Sequence, residues 1–164
     1  MKLLRSVAAA TVAAISMTIP ALAKVDAGSI HLLETLREYG VTVEYNPSSC
    51  SEGFAGRYST AKVMTLCYQN MPTAEDHDTI RHETAHVLQH CANMRRGGRG
   101  IQPLAINPDQ RNQWVKQVLK NSTISHVIET YPERAHQIEL EAFAMAHHYD
   151  ATQLANLVKA WCVK

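Results

Sequence analysis

The stretch IRHETAHVLQHC, Ile80 to Cys91, sets three histidines and one glutamate into a segment that also carries an apolar stripe. Ile80, Thr84, Val87, Leu88 and Cys91 recur at helical spacing, so the segment reads as a helix with one buried face. Within it His82-Glu83-Thr84-Ala85-His86 matches H-E-x-x-H. Residues four apart on a helix stand one turn above each other, so both imidazoles can reach one metal ion. Glu83 lies about 100° around the helix from His82, close enough to act on a water beside the metal without being a ligand. Zinc in such a site lowers the pKa of water towards neutrality, and the glutamate takes the proton as the water attacks a polarised carbonyl.

A catalytic zinc takes three protein ligands and keeps a fourth position open. The extended motif H-E-x-x-H-x-x-G-x-x-H is excluded, because Gln89 and Ala92 stand where it needs Gly and His. Three ligands from one straight helix would surround a tetrahedral ion poorly, so His90 is expected to be a supporting or surface group. The third ligand is sought in HQIELEAFAMAHHY, His136 to Tyr149. Ile138, Ala142, Met145 and Tyr149 mark a buried stripe there. Glu139 reads as lying beside that stripe, whereas Glu141 reads as facing the opposite side with His148. A carboxylate on an apolar face is costly unless it is paired or metal-bound. Glu139 is therefore the expected ligand, with Glu141 as the alternative and an ordinary salt bridge as the bland reading of Glu139.

His82-Glu83-x-x-His86 on one helix, followed by Glu139-x-x-Ala142 on a later one, resembles the gluzincin branch of the zincin metallopeptidases, and most closely the minigluzincins. The resemblance runs from the strands before the first motif to the final helix. It implies a zincin-like fold in which His82, His86 and Glu139 bind one Zn2+ and Glu83 is the general base. It also implies a short sheet whose edge strand runs along the cleft and pairs antiparallel with a peptide or protein substrate; Lys62–Gln69 occupies that place. The sequence departs from the pattern at Phe143, where many gluzincins carry an Asp that orients the first histidine.

Peptide hydrolysis also needs a donor for the developing oxyanion. His126, Tyr131, His136, His147 and Tyr149 are conceivable. Tyr131 and His136 are preferred because they precede or open the Glu139 helix, while Tyr149 has core spacing and the His147-His148 pair reads as helix surface.

Outward from the motif, Ser29–Tyr39 carries Ile30, Leu33 and Leu36 at helical spacing and stops at Gly40. VTVEYN alternates from Val41 and reads as a strand. Gly53–Ser59 and Lys62–Gln69 are two further strand candidates joined by a tight turn near Thr60-Ala61. Thr73 and Asp76 have capping-box spacing ahead of the motif helix, expected over Ala74–Cys91. Helical segments follow over Pro108–Lys120, Ser122–Glu129, Glu133–Tyr149 and Ala151–Trp161, with Trp114 and Trp161 expected in the core. The order predicts an α+β domain: a small antiparallel three-stranded sheet, the H-E-x-x-H helix, then a helical C-terminal part carrying the glutamate helix.

The chain has 164 residues and fits one domain. Lys2 and Arg5, the apolar run Val7–Ile19 and Ala21-Leu22-Ala23 read as a signal peptide over residues 1–23, leaving a domain over 24–164 that is secreted or periplasmic. No segment is apolar enough for stable membrane insertion. Removing Lys2 and Arg5 leaves 14 basic side chains against 15 acidic, a balance that gives no support for nucleic-acid binding. The Arg95-Arg96-Gly97-Gly98-Arg99 run reads as a solvated flexible loop. Four cysteines in an exported chain predict two disulfides, for which Cys50–Cys67 and Cys91–Cys162 are the favoured pairs. A monomeric zinc metallopeptidase, an endopeptidase, is the expected function. The competing reading is a zincin-like module that keeps its metal for binding or inhibition without catalysis.

Overall fold

The computed structural model describes residues 25–70, 76–105 and 107–163. The expected leader over 1–23 and Thr73, the first residue of the expected capping box, lie outside them. Helix α1 (Ala27–Glu38) starts at Asp26, whose side chain accepts the Ser29 N–H at 2.8 Å. It ends ahead of Gly40, whose φ of 79° is a left-handed conformation that glycine adopts freely. Leu32, Leu33 and Leu36 are buried, whereas Ile30 turns outward at 37% exposure.

Three short strands follow, β1 (Thr42–Tyr45), β2 (Gly56–Ser59) and β3 (Val63–Leu66). Each falls within a segment expected from the sequence, but the sheet is mixed and its order is β1-β3-β2. β2 and β3 form an antiparallel hairpin, Tyr58 opposite Met64, whose turn closes through Lys62 at φ 60°. β1 runs parallel to β3, with Val43 opposite Met64. The reason is local pairing: the hairpin takes one edge of β3, so only the other edge is open to β1. The connection from β1 to β2 reverses the chain once and the hairpin reverses it again, which leaves β1 and β3 pointing the same way. That connection is pinned to the end of β3 by the Cys50–Cys67 disulfide. Lys62–Gln69 therefore does not supply the edge strand; its strand is central, and β2 holds the edge beside the following helix.

The remaining helices are α2 (Asp76–Arg95), α3 (Pro108–Val118), α4 (Asn121–Thr130), α5 (Glu133–His148) and α6 (Ala151–Trp161), so the described residues form an α+β fold. α2 is the hub: it packs against α5, α6 and β2, while α1 packs on α6. Ile80, Thr84, Val87 and Leu88 are buried as their spacing requires. The main core gathers Leu33, Met64, Leu88 and Leu154, and a smaller cluster of Val115, Leu119 and Ala144 joins α3 to α5. α6 opens with a reciprocal Asp150–Gln153 capping box, and just beyond it Cys162 is bonded to Cys91 at the end of α2. Both favoured cysteine pairings are present.

One expectation fails at the end of α2: Trp161 is not core; it is 45% exposed at the last turn of α6, with the Arg95 guanidinium over its ring. Trp114 is partly buried and packs against both hydrophobic clusters. The arginines of the 95–99 run are solvated as expected; Arg95 donates to the Ala160 carbonyl, and Arg96 to those of Pro103 and Leu104. No helix among the described residues is long and apolar enough to cross a membrane.

The two disulfides join cysteines 17 and 71 residues apart. By chain entropy the shorter loop contributes about 3 kcal/mol and the longer about 4 kcal/mol. Replacing Cys91 and Cys162 with Ala should therefore lower the guanidinium unfolding midpoint further than replacing Cys50 and Cys67.

Candidate metal centre

His82 and His86 project from successive turns of α2, and Glu139 comes in from the second turn of α5, against which α2 packs. Their donor atoms form one small triangle. His82 Nε2 and His86 Nε2 are 3.1 Å apart, and Glu139 Oε2 lies 3.2 Å from the first and 3.5 Å from the second. A tetrahedral ion with bonds of about 2.0–2.1 Å has its donors about 3.3–3.4 Å apart, so the three atoms outline one face of such a tetrahedron. Glu139 Oε2 is buried yet aligned for a hydrogen bond with neither imidazole. Two nitrogens and a carboxylate oxygen so arranged can hold a metal ion.

The protonation equilibria reflect this crowding. Burial pushes the Glu139 carboxyl up, but the two imidazoles outweigh it and bring the pKa down to about 2. Burial pushes His86 down, yet Glu139 and the charge of Glu83 raise it to about 9. Glu83 is the opposite case: burial raises its pKa, and the neighbouring imidazoles only partly offset this. Its Oε2 is buried with no hydrogen-bond partner.

The site opens into a cleft of about 400 Å³ lined on one side by Phe54, Gly56 and Tyr58 of the β2 segment and on the other by Tyr131, Ala135 and Ile138. β2 lies close on α2 because residue 56 has no side chain. A Cβ there would stand 2.6 Å from Thr79 Cγ2 and 2.8 Å from Glu83 Cγ. Tyr58 clamps the same strand through a buried hydrogen bond between its hydroxyl and His90 Nδ1 at 2.9 Å. Burial, then the charge of Lys62, lowers the His90 pKa, which keeps the ring neutral and able to accept. His90 is thus a buried anchor for the edge strand rather than a surface group.

Of the two preferred oxyanion donors, only Tyr131 lines the cleft. Burial and the charges of Glu139 and Glu83 push its phenol up to about 12, so it stays protonated as a donor. His136 instead donates from Nε2 to the Tyr131 carbonyl at 2.7 Å. His126, His147 and His148 are exposed, and Tyr149 packs against the core.

Glu141 is not on the outer side of α5. It is 2% exposed, deeper than Glu139, and accepts from Gln89 Nε2 and the backbone N–H groups of Leu104 and Ala105. At about 100° per residue it stands about 40° from Met145, inside the buried stripe. Gln89, fully buried, was also overlooked; its position three residues after a ligand histidine on one helix face is the signal that could have found it. His82 departs in the other direction. Its Nδ1 is buried without a hydrogen-bond partner among the described residues, and its ring packs on Phe143 with centroids 4.4 Å apart.

The chain belongs to the family described as a domain of unknown function, DUF8637, whose profile matches residues 21–163. No curated protein and no solved structure matches it.

Two outcomes follow from this geometry. Gly56→Ala should cost about 1–3 kcal/mol of stability in chemical denaturation, because the added methyl overpacks β2 against Thr79 and Glu83. A metal ion needs the His86 Nε2 lone pair, whereas the metal-free protein holds a proton on that ring up to about pH 9. Glu139, at about 2, is already ionised at neutrality and has none to give. Titrating Zn2+ into metal-free protein at pH 7 should therefore release about one proton from His86. Calorimetry in buffers of different ionisation enthalpy reads it.

Proposed function

We propose that this member of the DUF8637 family is a zinc metallopeptidase with a gluzincin-like ligand set, acting as an endopeptidase on an extended peptide. The observation that carries the reading is the Nε2, Nε2, Oε2 triangle with edges of 3.1, 3.2 and 3.5 Å beside Glu83, whose Oε2 has no partner. His82, His86 and Glu139 hold the ion. Zinc bound there supplies Lewis acidity, polarising a carbonyl and making water a nucleophile near neutral pH.

The chain's own groups do the rest. Glu83 is buried against the ligands, its pKa is raised, and its Oε2 has no partner. That suits a base which takes a proton from water and passes it to the leaving amine. Tyr131 keeps its phenolic proton and donates towards the oxygen that gains charge. The substrate backbone pairs with the outer edge of β2, in place of the Lys62–Gln69 strand. The strand's position beside Glu83 and its clamp through His90 support this placement. A zincin-like module without catalysis has no need of Glu83, since a buried carboxyl with an empty acceptor costs stability and serves no ligand. The disulfides fit an oxidising compartment, in line with export and a secreted or periplasmic site of action.

Zinc content and cleavage of a mixed peptide library test the proposal. Glu83→Gln should keep its zinc and lose about 10²–10⁴-fold in cleavage rate. Zinc-replete wild type that cleaves no peptide would favour the binding module instead.

A further inference from the structure

We propose that Gln89 and Glu141 are positioning residues that set the protonation pattern of His86 and tie this ligand to one wall of the cleft. The inference rests on the metal-site reading above and goes beyond it, because neither residue reaches the ion or the cleft's reacting atoms.

Hydrogen-bond satisfaction around Gln89 leaves a single arrangement. The side-chain amide has one acceptor, Oε1, and two N–H donors on Nε2. Nε2 faces the Ile138 carbonyl at 3.0 Å and Glu141 Oε2 at 2.9 Å, and both of these only accept. Turning the amide over would set oxygen against two oxygens in a fully buried place, so Oε1 must face the other way. There it meets His86 Nδ1 at 2.8 Å. Since Oε1 can only accept, Nδ1 must carry the hydrogen. In the neutral ring, the form a metal requires, the lone pair is then left on Nε2, the atom that faces His82 and Glu139.

Glu141 orients the amide in turn. Its Oε2 also accepts from Leu104 N at 2.6 Å, and its Oε1 from Ala105 N at 3.1 Å, so both carboxylate oxygens are engaged by N–H groups. Leu104 and Ala105 follow Ile101, which lines the cleft. One chain of hydrogen bonds therefore runs from the 101–105 segment through Glu141 and Gln89 to the metal face of His86. It crosses from the loop to α5 and then to α2. Negative charge on Glu141 polarises the amide, strengthens Oε1 as an acceptor, and makes Nε2 a better donor to a metal.

Zinc affinity, measured by competition with a chromophoric chelator, tests this without reference to catalysis. Gln89→Leu, which keeps the bulk and removes the polar atoms, should bind Zn2+ about 10–100-fold more weakly than wild type. In zinc-loaded wild type, long-range ¹H–¹⁵N imidazole spectra should show a slowly exchanging proton on His86 Nδ1 that Gln89→Leu loses. Gln89→Glu sets a carboxylate against Ile138 O and Glu141, and should weaken zinc as well. Val87→Ala, a buried neighbour outside the chain of hydrogen bonds, controls for packing: it should lower the unfolding midpoint and leave zinc affinity within about threefold. Gln89→Leu with wild-type zinc affinity, or Val87→Ala weakening zinc as much as Gln89→Leu, would overturn the inference while leaving the metallopeptidase reading intact. A folded wild type that takes up no zinc would overturn that reading, and this inference with it.

Discussion

Seven polar side chains of α2, His82, Glu83, Thr84, His86, Gln89, His90 and Asn93, are buried together with the helix's apolar stripe. A buried polar group costs free energy unless it finds a partner, so a helix of this composition cannot sit in an ordinary core. The surrounding elements supply what it needs. β2 brings the Tyr58 hydroxyl to His90, α5 brings Glu139 and Glu141, and the connection after α2 lays the Arg99 and Gly100 carbonyls on Asn93. Beside the donor triangle two buried carboxylate oxygens have no hydrogen-bond partner among the described residues, Glu83 Oε2 and Glu139 Oε2. Unpaired buried acceptors next to two imidazoles make a group that can hold a metal ion.

The same demand explains why a small domain carries two disulfides. A helix that spends much of its surface on polar partners contributes less apolar burial than a purely hydrophobic one of equal length. Cys91–Cys162 fastens the far end of α2 to α6, and Cys50–Cys67 holds the strand segment that presses β2 onto Glu83. The cross-links thus restrain the two places where the site depends on distant parts of the chain staying in register.

Much of this was legible in the residues. The H-E-x-x-H spacing located two of the three grouped donors and set Glu83 beside them, and an acid beside an apolar stripe located Glu139. Cysteine count and element order led to both disulfides. The sheet was misread because strand patterns report alternation but not which neighbour each strand takes; that followed from the tightness of the β2–β3 turn and the length of the β1–β2 connection. Glu141 was misplaced for a different reason. Its place four residues before Met145 puts it within about 40° of the buried stripe, so the assignment opposite the stripe with His148 misjudges the helix geometry; Gln89, Leu104 and Ala105 satisfy the carboxylate there. Tyr58 and Gly56 carry no motif at all, since their roles arise from β2 crossing α2.

The two ligand histidines are held by different physics, and this bears on how such a site works. His86 is fixed by directional bonds that span α2, α5 and the 101–105 segment. His82 Nδ1 has no hydrogen-bond partner among the described residues, and its ring packs against Phe143 in a tilted contact. Packing restricts a ring's tilt but leaves small displacements cheap, whereas a hydrogen-bond chain with every member satisfied resists them. His86 is therefore the histidine of the triangle held by a directional bond outside it. Because the bonds that fix His86 also fix the segment carrying Ile101, the metal face and the cleft wall share one frame.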